Sequence, residues 1–147
     1  NASCVSSRGE QVYPLDFLLK PLPIIIVKPK MGVSTKLAYS NLILTKRNNI
    51  NKMTLVDRLK KGGPLAIMHN DLESSVFKLY PATEYLKRKI YEIAQNALLC
   101  GSGSSVFAFA ENDKTKQIIS MLDDGYFFKT TTILNSEGRD LYEHYRS

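Results

Sequence analysis

Apolar residues recur along the chain with two spacings, one typical of strands and one typical of helices. Residues 23–28 form an apolar, β-branched run with prolines at its ends, which predicts a buried strand. Residues 126–134 are rich in aromatic and β-branched residues and predict a final strand. Two shorter strands are predicted at 97–100 and 106–111, on either side of the glycine-rich loop 101–105.

Helical spacing is strongest after Pro81, which suits the first turn of a helix. The apolar positions that follow are Leu86, Ile90, Ile93, Ala94 and Ala97. Shorter helices are predicted after four capping residues, namely Ser34, Thr54, Asn70 and Asp113. Gly62 is expected to end the second of them in a left-handed conformation, and 45–53 and 135–147 read as polar segments.

The predicted order of elements is strand, helices, strand, strand, helix, strand. That order is typical of an α+β fold of the ferredoxin-like, split βαβ kind, with an antiparallel sheet and helices on one face. Because this fold supports many unrelated functions, it decides none of them.

The composition limits the class of protein, the compartment and the kind of partner that are expected. The 147 residues are 44% hydrophobic and 23% charged, which predicts one ordinary globular domain. The longest apolar run, 24–27, is far shorter than the roughly 20 residues of a membrane span, so no membrane partner is expected. Two cysteines, Cys4 and Cys100, make no disulfide framework and favour a reducing, cytoplasmic setting. The net charge of +6 favours an anionic partner without identifying it.

Few residue patterns suit catalysis or metal binding. Only His69 and His144 are histidines and there are no paired cysteines, so no metal site and no catalytic triad is predicted. The remaining candidate is Gly101-Ser102-Gly103-Ser104-Ser105, whose N–H groups and hydroxyls could cradle an anion. A tight connection between two strands explains the same glycines equally well.

Phe107 and Phe109 offer a second interpretation, because they alternate on one face of a predicted strand. Such a pair could stack on the bases of RNA. No aromatic partner is present on the strand at 23–28, so we expect these rings to face the helices as core and nucleic acid not to be a partner.

Four segments in order resemble the GHMP-type small-molecule kinases, a family that includes galactokinase, homoserine kinase and mevalonate kinase. They are RGEQVYPL (8–15), VKPKMGVSTKLAY (27–39), HNDLE (69–73) and GSGSSVFAF (101–109). The resemblance implies that 21–147 is the carboxy-terminal domain and that 1–20 is the last strand and turn of an amino-terminal half. That other half is expected to be the partner of this chain. It is also expected to carry the catalytic residues and to bind most of ATP and Mg²⁺, so no catalytic residue or metal ligand is assigned here.

The resemblance also implies roles for particular residues. Gly101, Ser102, Gly103 and Ser104 match a motif that shapes the cleft beside the phosphates. Tyr39 matches an aromatic position that stacks on the cytosine of a small cytidine diphosphate substrate, and Thr35 matches a hydroxyl lining that pocket. Without the resemblance, Tyr39 reads as a tyrosine at a helix edge that packs beside Leu42 and Ile43. Asn70 and Asp71 match a pair in the family but read as a helix cap, so they are assigned a structural role.

Several alternatives stay open. The kinase could be another member, of the homoserine or mevalonate kinase type, or the chain could be an inactive half. A stand-alone ferredoxin-like module that binds a nucleotide or RNA would need no partner half. The compartment is predicted to be the bacterial cytoplasm, with a plastid-type compartment as the alternative.

Overall fold

The computed structural model describes residues 3–6, 8–17, 19–42 and 52–133. In chain order the elements are β1 (Ser3–Ser6), β2 (Gln11–Pro14), β3 (Leu22–Pro29), α1 (Thr35–Ser40), α2 (Lys52–Gly62), a 3₁₀ helix (Pro64–Ile67), α3 (Glu73–Leu79), α4 (Pro81–Ala94), β4 (Leu98–Leu99), β5 (Val106–Phe109), α5 (Asn112–Met121) and β6 (Tyr126–Ile133). Three parts of the prediction lie outside the described residues: 45–51 of the polar segment 45–53, Leu134 at the end of the final strand, and the polar tail 135–147.

The chain divides into two compact units. Unit 1 comprises 1–22, 48–67 and 132–147, and unit 2 comprises 23–47 and 68–131. In unit 1, β1 and β2 form an antiparallel hairpin whose turn contains Gly9 at φ 104°. None of the helices within the described ranges is both long and apolar enough to cross a membrane.

The main sheet has four strands in the order β4-β5-β3-β6. Both β3 and β4 pair antiparallel with β5, with Ile25 opposite Ala108 and Leu99 opposite Val106. The N–H of Lys30, after β3, donates to the carbonyl of Gly125, before β6, so these strands also run antiparallel. Because β5 lies between β3 and β4, which the helices connect, the predicted split βαβ arrangement is confirmed.

The core lies between the sheet and the helices of unit 2. Its fully buried side chains come from alternate positions of β3 and β5 and from one face of α4, as the two spacings predict. They include Ile25, Val27, Val106, Ala108, Leu86 and Ile90. Ser34 caps α1 and Pro81 begins α4, both as predicted.

The phenylalanines of β5 do not face the helices. Val106 and Ala108 occupy that side, so Phe107 and Phe109, one residue out of phase, lie on the opposite face of the sheet. The prediction that they are core beneath the helices is therefore wrong. A period of two separates the faces of a strand but does not say which face the helices cover.

Three predicted caps are also wrong. Thr54 lies inside α2, which already includes Lys52, and the left-handed residue after this helix is Gly63 at φ 65° rather than Gly62. Glu111 rather than Asp113 precedes α5. Asn70 does not cap α3 either, since that position belongs to Leu72. Each of these residues lies within two positions of the true boundary, which is the usual uncertainty of helix ends.

Candidate functional site

The glycine-rich loop 101–105 connects β4 to β5. The N–H of Cys100 donates to the carbonyl of Ser105 at 2.8 Å, and the N–H of Gly103 donates to the carbonyl of Cys100 at 2.9 Å. Gly101 and Gly103 have φ angles of 55° and 86°, which favour glycine. A Cβ atom on Gly103 would also approach Leu99 Cδ1 to 3.0 Å. Two glycines are therefore required by the backbone of this loop.

The serine hydroxyls of the loop bind residues on the segment that follows β3. Ser102 Oγ lies 2.9 Å from Thr35 Oγ1, across 67 positions of sequence. Ser104, which is 2% exposed, donates from Oγ to the carbonyl of Met31 at 2.8 Å. The structure thus brings Thr35 and the loop, which were assigned to the site separately, into direct contact.

Tyr39 lies on α1, four residues after Thr35, and residues so spaced share one face of a helix. Its side chain is 60% exposed, whereas Ala38 is buried in the core. Leu42 is partly buried against that core, and Ile43 lies outside the described residues. An exposed ring beside the Thr35–Ser102 contact is available to stack on a flat ligand.

Helix α1 is short, and its position is fixed by its own cap and by hydrogen bonds to Tyr80 and Ser75. Ser34 Oγ accepts from the N–H of Leu37 at 3.3 Å, and the Ser34 N–H donates to the hydroxyl of Tyr80 at 3.2 Å. The buried Ser75 donates from Oγ to the carbonyl of Ala38 at 2.8 Å. Contacts at both ends of this helix hold Thr35 and Tyr39 in place.

The role of Asn70 was not anticipated from the sequence. Its Oδ1 accepts from the N–H of Leu72, while its Nδ2 donates to the carbonyls of Leu99 at 2.9 Å and Gly101 at 2.8 Å. Asp71 is exposed and its Oδ1 lies 2.8 Å from His69 Nε2. The HNDLE segment was the available signal, but an Asn before a helix looks the same whether it caps that helix or binds a distant loop.

The site is rich in hydrogen-bond donors and poor in titratable groups. Its donors are the backbone N–H groups and the serine hydroxyls of loop 101–105, in which Ser102 is partly exposed and Ser104 is buried. Burial raises the pKa of the neighbouring Cys100 thiol, which keeps it neutral. The described ranges contain no group of His, Cys, Asp or Glu that could hold a metal ion. Such a site can bind an anion or a polar ligand.

The alternative RNA surface is less suited to stacking. The rings of Phe107 and Phe109 lie 5.7 Å apart at 85°, edge to face, and both are partly buried. A base-stacking platform presents open ring faces, as the exposed Tyr39 does. The aromatic pair of β5 therefore does not favour nucleic-acid binding.

Comparison with known proteins shows similarity to one family of kinases. Residues 57–126 match the family described as GHMP kinases C terminal. The chain is 34% identical over 139 residues to the 4-diphosphocytidyl-2-C-methyl-D-erythritol kinase of Thermodesulfovibrio yellowstonii, covering 88% of this chain and 48% of that protein. It is 28% identical over 156 residues to the chloroplastic enzyme of the same name from Arabidopsis thaliana, covering 97% of this chain and 39% of the relative. The chain thus spans about half the length, or less, of these curated relatives.

Two solved structures share the fold. A crystal structure of 4-(cytidine 5'-diphospho)-2C-methyl-D-erythritol kinase has a TM-score of 0.64 at 24% identity, covering 86% of this chain and 47% of that one. A homoserine kinase from Cytophaga hutchinsonii has a TM-score of 0.60 at 18% identity, covering 85% of this chain and 45% of that one. At these identities the likeness establishes the fold alone.

Proposed function

Residues 57–126 place this chain in the GHMP kinase C-terminal family, and on that premise we propose that it is the substrate-side half of a 4-diphosphocytidyl-2-C-methyl-D-erythritol kinase. The observation that carries the proposal is the 2.9 Å contact between Thr35 and Ser102. It joins the segment assigned to the substrate pocket to the loop assigned to the phosphates. The curated relatives of that name, about twice as long as the matched region, support the same assignment.

The proposed reaction transfers the γ-phosphoryl group of ATP to the 2-hydroxyl of 4-(cytidine 5'-diphospho)-2C-methyl-D-erythritol, here called CDP-methylerythritol. The hydroxyl oxygen forms a bond to phosphorus while the bond to the ADP oxygen breaks, and the hydroxyl proton leaves. Catalysis of such a transfer depends mostly on positioning and on stabilising charge. The donors of loop 101–105 suit the second of these tasks.

Cofactor binding is assigned mainly to another part of the complete kinase. Gly101 is exposed and Ser102 is partly exposed, so their backbone N–H groups can donate to a phosphate, and this chain would contribute one wall of the nucleotide site. Mg²⁺ would neutralise charge on the phosphates, and it prefers oxygen ligands, which the described residues do not cluster. We assign the metal ligands and the proton acceptor to the amino-terminal half, as the resemblance to the family implies.

Residues 1–20 would complete that amino-terminal half, and 21–147 would form the carboxy-terminal domain. The two halves together make the working enzyme, so this chain alone is proposed to be inactive. Its product would serve the route to isoprenoid precursors that does not use mevalonate. Because relatives occur in bacteria and in chloroplasts, the proposed location is the bacterial cytoplasm or a plastid.

Substitution of Tyr39 tests whether the substrate carries a cytosine that stacks on this ring. In the complete kinase, Tyr39→Ala removes a ring that is proposed to stack on cytosine. Base stacking on an aromatic ring contributes about 1–3 kcal/mol, so we expect KM for CDP-methylerythritol to rise by about 5- to 150-fold while KM for ATP stays unchanged.

Two control variants separate stacking from other effects. Tyr39→Phe keeps the ring and should keep the parent KM. Tyr91→Ala removes a comparably exposed tyrosine, 50% exposed on α4, and should change neither KM. An unchanged KM for CDP-methylerythritol in Tyr39→Ala would contradict the stacking role. Faster turnover of homoserine or mevalonate than of CDP-methylerythritol would contradict the proposed substrate.

A further inference from the structure

The HNDLE segment, 69–73, has two side chains whose hydrogen bonds converge on one distant residue. Leu99 lies in β4, the edge strand of the sheet, and is 1% exposed. Its N–H donates to Glu73 Oε1 at 3.0 Å, and its carbonyl accepts from Asn70 Nδ2 at 2.9 Å. A buried edge strand has no water to satisfy its outward backbone groups, so these side chains take the place of a further strand.

The amide of Asn70 reaches past the strand into the loop. Its Nδ2 also donates to the carbonyl of Gly101 at 2.8 Å, so one NH₂ group binds the carbonyls on either side of Cys100. That point is where β4 ends and the left-handed Gly101 begins the loop. Two hydrogen bonds from one rigid amide fix the direction in which the chain leaves the strand.

Glu73 is itself anchored. Its Oε2 lies 2.7 Å from Lys87 Nζ of α4, and the two side chains are only 18% and 23% exposed. The Lys87 ammonium also lies 5.6 Å from the ring centre of Phe77. Because α4 supplies several buried core residues, this ion pair connects the Leu99 N–H, through Glu73, to a core helix of unit 2.

We propose that Asn70 is a positioning residue for loop 101–105, the part of the proposed active site that faces the phosphates. Glu73 holds β4, the strand that leads into this loop. The proposal rests on the proposed function, because the loop must face phosphate for its position to matter. Asn70 orients the Gly101 peptide, and through the loop it sets the Ser102 hydroxyl against Thr35. The HNDLE segment therefore acts on the reaction through the loop rather than through the substrate.

Asn96 is a matched control within the same unit. It donates from Nδ2 to the carbonyls of Ala94 at 3.0 Å and Phe109 at 2.9 Å, and its Oδ1 accepts from the Phe109 N–H at 2.7 Å. Asn70 and Asn96 thus each donate two and accept one backbone hydrogen bond, and both are partly buried. Only Asn70 binds the glycine loop. If the only effect of each substitution is to destabilise the fold, Asn70→Ala and Asn96→Ala should lower the free energy of unfolding by similar amounts.

The first measurement is amide hydrogen exchange in the 147-residue chain. We expect Asn70→Ala to speed exchange of the hydrogen-bonded amides of Cys100 and Gly103 by about tenfold or more relative to the amides of α4. Asn96→Ala should leave the ratio between loop and helix unchanged. Equal acceleration of the loop in both variants, or none in Asn70→Ala, would overturn the positioning role.

A second variant guards against simple loss of folding. Asn70→Asp keeps the acceptor for the Leu72 N–H but cannot donate to the two carbonyls, and it should reproduce the loop-specific exchange. Glu73→Gln keeps an acceptor for the Leu99 N–H and should leave loop exchange within about twofold of the parent.

The second measurement is steady-state kinetics of the complete kinase. A loop displaced from the transferred phosphate should lower kcat by about 10- to 100-fold while KM for CDP-methylerythritol stays within about twofold. Asn96→Ala should keep the parent kcat. Loop-specific exchange with an unchanged kcat would overturn the role in the reaction. If the parent protein turns over none of the kinase substrates, the proposed function fails, and with it the role of Asn70 in the reaction, whereas the exchange result still decides whether Asn70 holds the loop.

Discussion

Unit 2 and unit 1 differ in how they bury apolar side chains. Unit 2 has a continuous core in which Ile25, Val106 and Ile90 are fully buried. Among the described residues of unit 1, Leu59 is the one buried apolar side chain. Its hairpin leaves Val5 and Val12 more than half exposed, at 57% and 56%. Unit 2 therefore contains the features of a self-sufficient domain, whereas a two-stranded hairpin is marginal without other contacts.

The contrast teaches where function can be placed. The candidate site residues Thr35, Tyr39 and 101–104 all belong to unit 2, the part with its own core. Residues 1–20, proposed to complete another half of the kinase, belong to unit 1. A site that positions a substrate needs a rigid scaffold. Among the described residues, nearly all buried apolar side chains belong to unit 2, which therefore provides that scaffold.

The largest expected effect is the loss of a core side chain in unit 2. Leu86→Ala removes a leucine that is 2% exposed, and the cavity should lower the free energy of unfolding by about 2–5 kcal/mol. The same substitution at Leu59, 8% exposed in unit 1, should cost less than about 2 kcal/mol because few buried neighbours surround it.

Urea unfolding followed by circular dichroism measures both values. Leu65→Ala, at a leucine that is 52% exposed, is the control and should change stability by less than about 0.5 kcal/mol. Equal losses for Leu86→Ala and Leu59→Ala would remove the contrast between the units.

An intermediate effect is expected at Cys100. Burial raises the pKa of its thiol above the ordinary value of 9.0, so the unfolded chain ionises at lower pH than the folded one. Its contribution to stability is then fully present below that value and is lost as pH rises toward the higher folded pKa. In a Cys4→Ser background at pH 8, Cys100 should react with a thiol reagent at least about tenfold more slowly folded than in urea. Equal rates would mean that the thiol is neither protected nor shifted.

The smallest effect is expected at an exposed pair of unit 1. Lys60 Nζ lies 3.2 Å from Asp16 Oδ1, and its hydrogen bond and charge lower the pKa of that carboxyl below 3.8. The stabilisation is present above pH 3.8 and is lost as pH falls through the lowered folded value. Lys60→Ala should return the Asp16 pKa toward 3.8 in an NMR titration, with little change in Tm. Lys61→Ala should leave that titration as it is in the parent, and a shift of similar size there would show a general effect of charge.

Much of the fold was predictable because its signals are local. The β-branched run that became β3, the Pro81 start and the periodic apolar face of α4 each lie within one element. The candidate site was predictable only through the resemblance, since spacing alone left loop 101–105 undecided between a cradle and a connection. The proposed roles of Thr35 and Tyr39 have the same origin and remain predictions.

By itself, the sequence determined the types and order of the elements of unit 2 and the glycines that its loop requires. Those properties follow from backbone sterics and from the period of apolar residues. Only the tertiary structure decided that Phe107 and Phe109 lie away from the helices and that Asn70 binds Gly101, 31 positions away. The physical reason is that an amide or an aromatic ring has many possible partners, and the packing of distant elements selects among them.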